Sequence, residues 1–148
     1  MKVPRPRLPL VAAGAIGVGA VLAFAVPAGA AVSTQSPPDA SVRLGTKATL
    51  DANGAVVFAP VTIACRTGSS VYLTVKVTEN VGGAIASGET SFYDVACTGG
   101  TVKLTAAVTP TQRAFRKGVA FGQASMTVCD PSGCRLLVDQ HNVDIVKK

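Results

Sequence analysis

The sequence predicts an all-β fold, an immunoglobulin-like antiparallel β-sandwich of seven to eight strands. Three observations lead there. Apolar and polar residues alternate with period 2 from about Val42 onward, turn residues recur roughly every 8 to 12 positions, and no segment sustains a 3.6-residue apolar period. Helix content is therefore expected to be near zero. The chain has no Trp, so it lacks the residue that packs on the disulfide of antibody domains, and the expectation is of the architecture alone.

The elements are expected in this order. Lys2, Arg5 and Arg7 precede an apolar run from Leu8 to Val26; Pro27 breaks it, and Ala28-Gly29-Ala30 supplies a small-x-small site. That is the pattern of a signal peptide over residues 1–30, cleaved after Ala30. A retained anchor is the alternative, because the run approaches the roughly 20 apolar residues that span a bilayer. The Gly- and Ala-rich composition and the cleavage-like site favour cleavage, so no stable membrane insertion is expected afterwards. No Cys near the site invites lipidation, and no Leu-Pro-x-Thr-Gly signal follows.

Residues 31–41 are polar, Pro-containing and aperiodic, a flexible lead-in to a domain over 42–148. Val42, Leu44, Ala48 and Leu50 share one face, and Asp51-Ala52-Asn53-Gly54 is a turn. Val57, Val61, Ile63 and Cys65 then point one way, with Pro60 marking an edge or a bulge, because proline cannot donate to a ladder. Val71, Leu73, Val75 and Val77 face inward while Tyr72, Thr74, Lys76 and Thr78 face out, until "ENVGG" ends the strand. A weaker segment, Ala84 to Ser87, precedes a short strand with Tyr93, Val95 and Cys97 on one face. Val102, Leu104, Ala106 and Val108 form the next inward set, "TPTQRAFRKG" is a loop, and Val119 to Cys129 is a long strand. Leu136 to Val146 returns, with a break expected near "DQHN".

An even count of four cysteines in a small secreted chain reads as two disulfides. Asp130-Pro131-Ser132-Gly133 has the residue preferences of a type I turn, which sets Cys129 opposite Cys134 across a hairpin, close enough to bridge. A zinc or iron site would want two more soft ligands nearby, and a redox pair would have two residues between its cysteines and a helix N-terminus beside them. The hairpin staple fits without either. Cys65 and Cys97 then pair, on separate strands and both in the core-facing phase.

Removing the leader lowers the net charge from +6 to +3, and the remaining Lys and Arg are spread out, so nucleic-acid binding is not expected. The one histidine, His141, would have to serve any triad or metal site with Asp139 or Asp144. No third metal ligand is indicated, a solvent-facing strand position is the favoured reading of His141, and no paired carboxylates or phosphate-cradling glycines occur. No enzyme, cofactor or metal is expected. The loop Thr109 to Gly118 carries Arg113, Phe115, Arg116 and Lys117, which could meet an anionic envelope polymer or a partner protein. The plainer reading is a solvated turn with Phe115 folded back on the core. An aromatic carbohydrate platform is not expected, for want of Trp.

The stretches "LDANGAVVFAPVTIACRTGSSVYLTVKVTE", "DVACTGGTVKLTAAVTP", "RAFRKGVAF" and "CDPSGC" resemble small secreted actinobacterial Ig-like proteins of unknown function, over about residues 48 to 146. The resemblance implies fold and secretion and carries no active site. The chain is also similar, more thinly, to enediyne-carrier proteins of the neocarzinostatin type, which are secreted seven-strand sandwiches with two disulfides, one a Cys-x4-Cys hairpin. Their other disulfide is short, whereas Cys65 and Cys97 lie 32 positions apart. The expected function is a secreted, extracellular, non-enzymatic binding or structural module whose partner is a protein or a cell-envelope component. The alternatives are a carrier of an apolar small molecule and a protease inhibitor presenting Arg113 or Arg116.

Overall fold

The computed structural model describes residues 39–148, so the leader and all but the last three residues of the expected lead-in lie outside the described residues. Eight strands follow: β1 (Ala40–Leu44), β2 (Lys47–Asp51), β3 (Val56–Cys65), β4 (Ser70–Val81), β5 (Ala84–Phe92), β6 (Thr101–Val108), β7 (Gly118–Asp130) and β8 (Gly133–Lys147). A single 3-10 turn, Ala52–Gly54, is the one helical element among the described residues. No described helix is long and apolar enough to cross a membrane. The domain is the all-β, immunoglobulin-like sandwich that the alternation implies.

Hydrogen bonding runs along one path, β1-β3-β2-β8-β7-β4-β5, with β6 on the far side of β3. The path bends into two layers because β1 and β2 are one edge that changes partners. β1 pairs with β3, whereas β2 pairs with β3 and also, in parallel, with β8. That parallel pair is the one departure from the antiparallel arrangement. Gly122 of β7 marks how closely the layers meet: a Cβ there would stand 2.5 Å from Leu44 Cδ2 and 2.6 Å from Val143 Cγ2. A larger residue would force the layers apart. Inward positions of every strand supply the core, from Val42 and Leu44 through Ile63, Leu73, Val75 and Met126 to Ile145.

Four details differ from the sequence reading. β1 begins at Ala40, inside the expected lead-in, because Ala40 continues the buried phase of Val42 and Leu44 opposite Cys65. Pro60 sits in an interior strand, with β6 on one side. Its carbonyl accepts from Gly45 N–H at 2.8 Å, so its missing donor would point to that same side, where the chain passes from β1 to β2. The ladder is already interrupted there, and proline costs no bond.

The expected strand through Tyr93 is a loop, and the regular segment before it is one longer strand. β5 runs to Phe92 because each of its residues pairs with β4. Cys97 is consequently half-buried in a loop, although the disulfides are those expected: Cys65–Cys97 with Cα atoms 5.4 Å apart and Cys129–Cys134 at 4.0 Å. β8 is unbroken through Asp139–Asn142, since β7 pairs with it along its whole length to Ile145.

Candidate functional site

The loop between β6 and β7 is tied to β5 where Thr111 N–H donates to Ser87 O at 2.9 Å, and its basic part, residues 113–117, is anchored at three further points that decide which side chains are free. Phe115 is 1% exposed and among the largest buried side chains, so its ring closes the core. Its N–H donates to Gly54 O at 3.0 Å. Gly54 is required there: its φ is +95°, and a Cβ would fall 2.1 Å from Phe115 O. The second anchor is Glu79, which continues the inward phase of β4 and is 5% exposed. Its Oε2 accepts from Arg116 N–H at 2.8 Å, which compensates part of the cost of burying a carboxylate. At the third, Arg113 Nη1 donates to Val81 O at 3.1 Å.

With the backbone pinned and Arg113 turned onto β4, the side chains of Arg116 and Lys117 remain exposed at the loop's end. There they meet the end of β8. A surface cleft of about 420 Å³ is lined by Arg116, Lys117 and Lys147 together with Leu50 and Asn53. An adjoining cleft of about 330 Å³ adds Lys148, whose Nζ lies 3.9 Å from Asp51. Among the described residues, no acidic group lies within salt-bridge distance of Arg116, Lys117 or Lys147. Cations that lack counter-charges and crowd one cleft raise the local positive potential, which attracts anions in a salt-dependent way. Sequence reading found two of these cations. Lys147 and Lys148 were missed, although the β7–β8 hairpin register, which sets Cys129 against Cys134 and Gly118 against Ile145, carries the C-terminus to this loop.

The other sequence-flagged groups have structural roles. Asp139 and His141 share a face, as their spacing implies, but that face points inward beneath β1, and both side chains are only 30% exposed. Asp139 Oδ2 accepts from Leu44 N–H at 2.8 Å, and Oδ1 lies 3.4 Å from His141 Nδ1. His141 is thus not the solvent-facing strand residue that sequence alone favoured; its Nε2 is buried without a hydrogen-bond partner. Among the described residues, no group of three His, Cys, Asp or Glu side chains could hold a metal ion.

Tyr93, read from sequence as inward-facing, is 74% exposed. Its ring centroid lies 5.0 Å from that of Tyr72, tilted by 54°. The Tyr72 hydroxyl donates to Ser91 Oγ at 3.2 Å. Hydrogen bonding to Ser91 and Thr74 holds the Tyr72 phenol below its usual range, while the contact with Tyr72 raises that of Tyr93.

With this geometry in view, the chain was compared with known proteins. No protein-family model matches it, and no curated protein does. The basic cleft must therefore be interpreted from its own chemistry.

Proposed function

We propose that the protein is a secreted, non-enzymatic binding module that holds an anionic component of the cell envelope in the cleft between Arg116, Lys117 and Lys147. The carrying observation is the meeting of Lys147 with a loop about 30 positions earlier, with no acid among the described residues within salt-bridge distance of the three cationic groups. Secretion is supported by the N-terminal pattern and by the two disulfides, which persist in oxidising compartments. Binding is favoured over catalysis because the buried acids are already engaged by backbone donors: Glu79 by Arg116 N–H and Asp139 by Leu44 N–H. The Arg113 bond to Val81 counts against an inhibitor that presents Arg113, since a protease would have to pull that guanidinium away.

Co-sedimentation with insoluble cell-wall material tests the reading. Wild-type protein is expected in the pellet at low ionic strength and in the supernatant at about 1 M salt, where the screening length falls to about 3 Å. Protein that stays in the supernatant at low salt would remove the reading. Robust turnover in a hydrolytic or redox screen, lost in His141→Ala, would replace it with an enzyme.

A further inference from the structure

β8 is fifteen residues long, but β2 covers its outer edge only from Asp144 to Lys147. Covering starts where Asp144 N–H meets Thr46 O at 2.9 Å, and the chain before Thr46 turns away to pair with β3. Residues 134–140 therefore offer an unpaired edge. Cys129 and Cys134 face each other with Cα atoms 4.0 Å apart, the close spacing of a pair that exchanges no backbone hydrogen bonds. The N–H and C=O of Cys134 thus point away from β7, and so do those of Leu136, Val138 and Gln140, two residues apart each time. Asp144, in the same parity, does bond outward to Thr46.

Arg135 and Asp139 put charge on this edge, but between them Leu136 is 66% and Val138 46% exposed, apolar surface that an open edge seldom leaves uncovered. We propose that the edge of β8 over Cys134–Gln140 pairs antiparallel with the same edge of a second copy of this chain, about a two-fold axis through Leu137. Register follows from charge and parity together. Centred on Leu137, the pairing sets Leu136 against the partner's Val138 and Cys134 against the partner's Gln140, all with outward-pointing backbone groups. It also sets Arg135, whose guanidinium lies 3.6 Å from Asp130 within its own chain, against the partner's Asp139, whose half-buried carboxylate already holds Leu44 N–H, in the close, non-hydrogen-bonded position where side chains interact most. Moving the centre by one residue toward either end opposes Arg135 to the partner's Leu137 or to the partner's His141, and the ion pair is lost. An isologous contact of this kind closes on itself and stops at two copies. The start of β2 blocks the partner's hairpin beyond Cys134, which keeps the ladder short and the dimer weak.

Sedimentation velocity of the purified protein from about 10 μM to about 1 mM tests it, because a weak dimer dissociates on dilution. The expected result is a monomer–dimer equilibrium with no larger species. Val138→Pro removes an outward N–H that β7 does not use, so the fold is kept, as unchanged circular dichroism would report, while the dimer is lost. Arg135→Glu opposes two acids twice across the axis and weakens the dimer by about tenfold or more. A monomer at every concentration would overturn the proposal. So would a dimer that persists unchanged in Val138→Pro.

Discussion

Phe115 and Glu79 show how single side chains set what the basic loop can offer. Phe115 is sealed in the core, so Phe115→Ala leaves a cavity as well as losing transfer energy, and it should cost about 3 to 5 kcal/mol in urea denaturation. A loss under about 1 kcal/mol would mean that the loop does not plug the core. Glu79→Gln keeps the size and removes the charge from the bond to Arg116 N–H, and it should lower stability by about 1 to 2 kcal/mol. Much at this scale was legible in the sequence. Glu79 stands in the same parity as Val71, Leu73, Val75 and Val77, and that parity signals an inward carboxylate needing a partner, although "ENVGG" was read only as the end of a strand. The partner could not be foreseen, since it is a backbone N–H 37 positions away.

At the scale of elements, alternation located every strand whose two faces differ in polarity. It failed around residues 84–100, where Ala84–Phe92 carries few large apolar side chains and is a strand by virtue of its pairing with β4. The following "YDVAC" alternates, yet makes no ladder and is tied instead through Val95 N–H to Val71 O at 3.3 Å and through the Cys97 disulfide. The β7–β8 hairpin was read correctly because its turn chemistry is local. Asp130 Oδ1 accepts from both the N–H and the hydroxyl of Ser132, and these bonds, with the Arg135 charge beyond, hold the Asp130 carboxyl below its usual range. A depressed carboxylate pKa stabilises the folded turn above the unfolded value, and that contribution is lost as pH falls through the folded one. In an NMR titration the Ser132 amide shift should therefore move with a midpoint below the ordinary aspartate range. A midpoint at or above that range would contradict the turn geometry.

Across the whole molecule, the two disulfides and the basic cleft lie at opposite ends. Cys65 and Cys129 come at or near the last residues of β3 and β7, whereas Gly54 and the loop holding Arg116 and Lys117 come just before the first residues of those strands. The disulfides can thus stabilise the sandwich without touching the cleft. By loop-closure entropy, the Cys65–Cys97 bridge should contribute about 3 to 4 kcal/mol and the Cys129–Cys134 bridge about 2. Replacing each pair with Ala and comparing denaturation midpoints checks that order. The central claim is that position in the cleft, and not net charge, makes the protein an anion binder. Its most direct test is affinity for dextran sulfate at fixed low salt, comparing Lys117→Ala/Lys147→Ala with Arg43→Ala/Lys103→Ala. Both pairs remove two exposed cations, but Arg43 and Lys103 flank Thr62 on another face. The cleft pair should weaken binding by about tenfold or more while the control pair changes it by less than about threefold. Equal losses for the two pairs, or no binding by the wild type, would contradict the account.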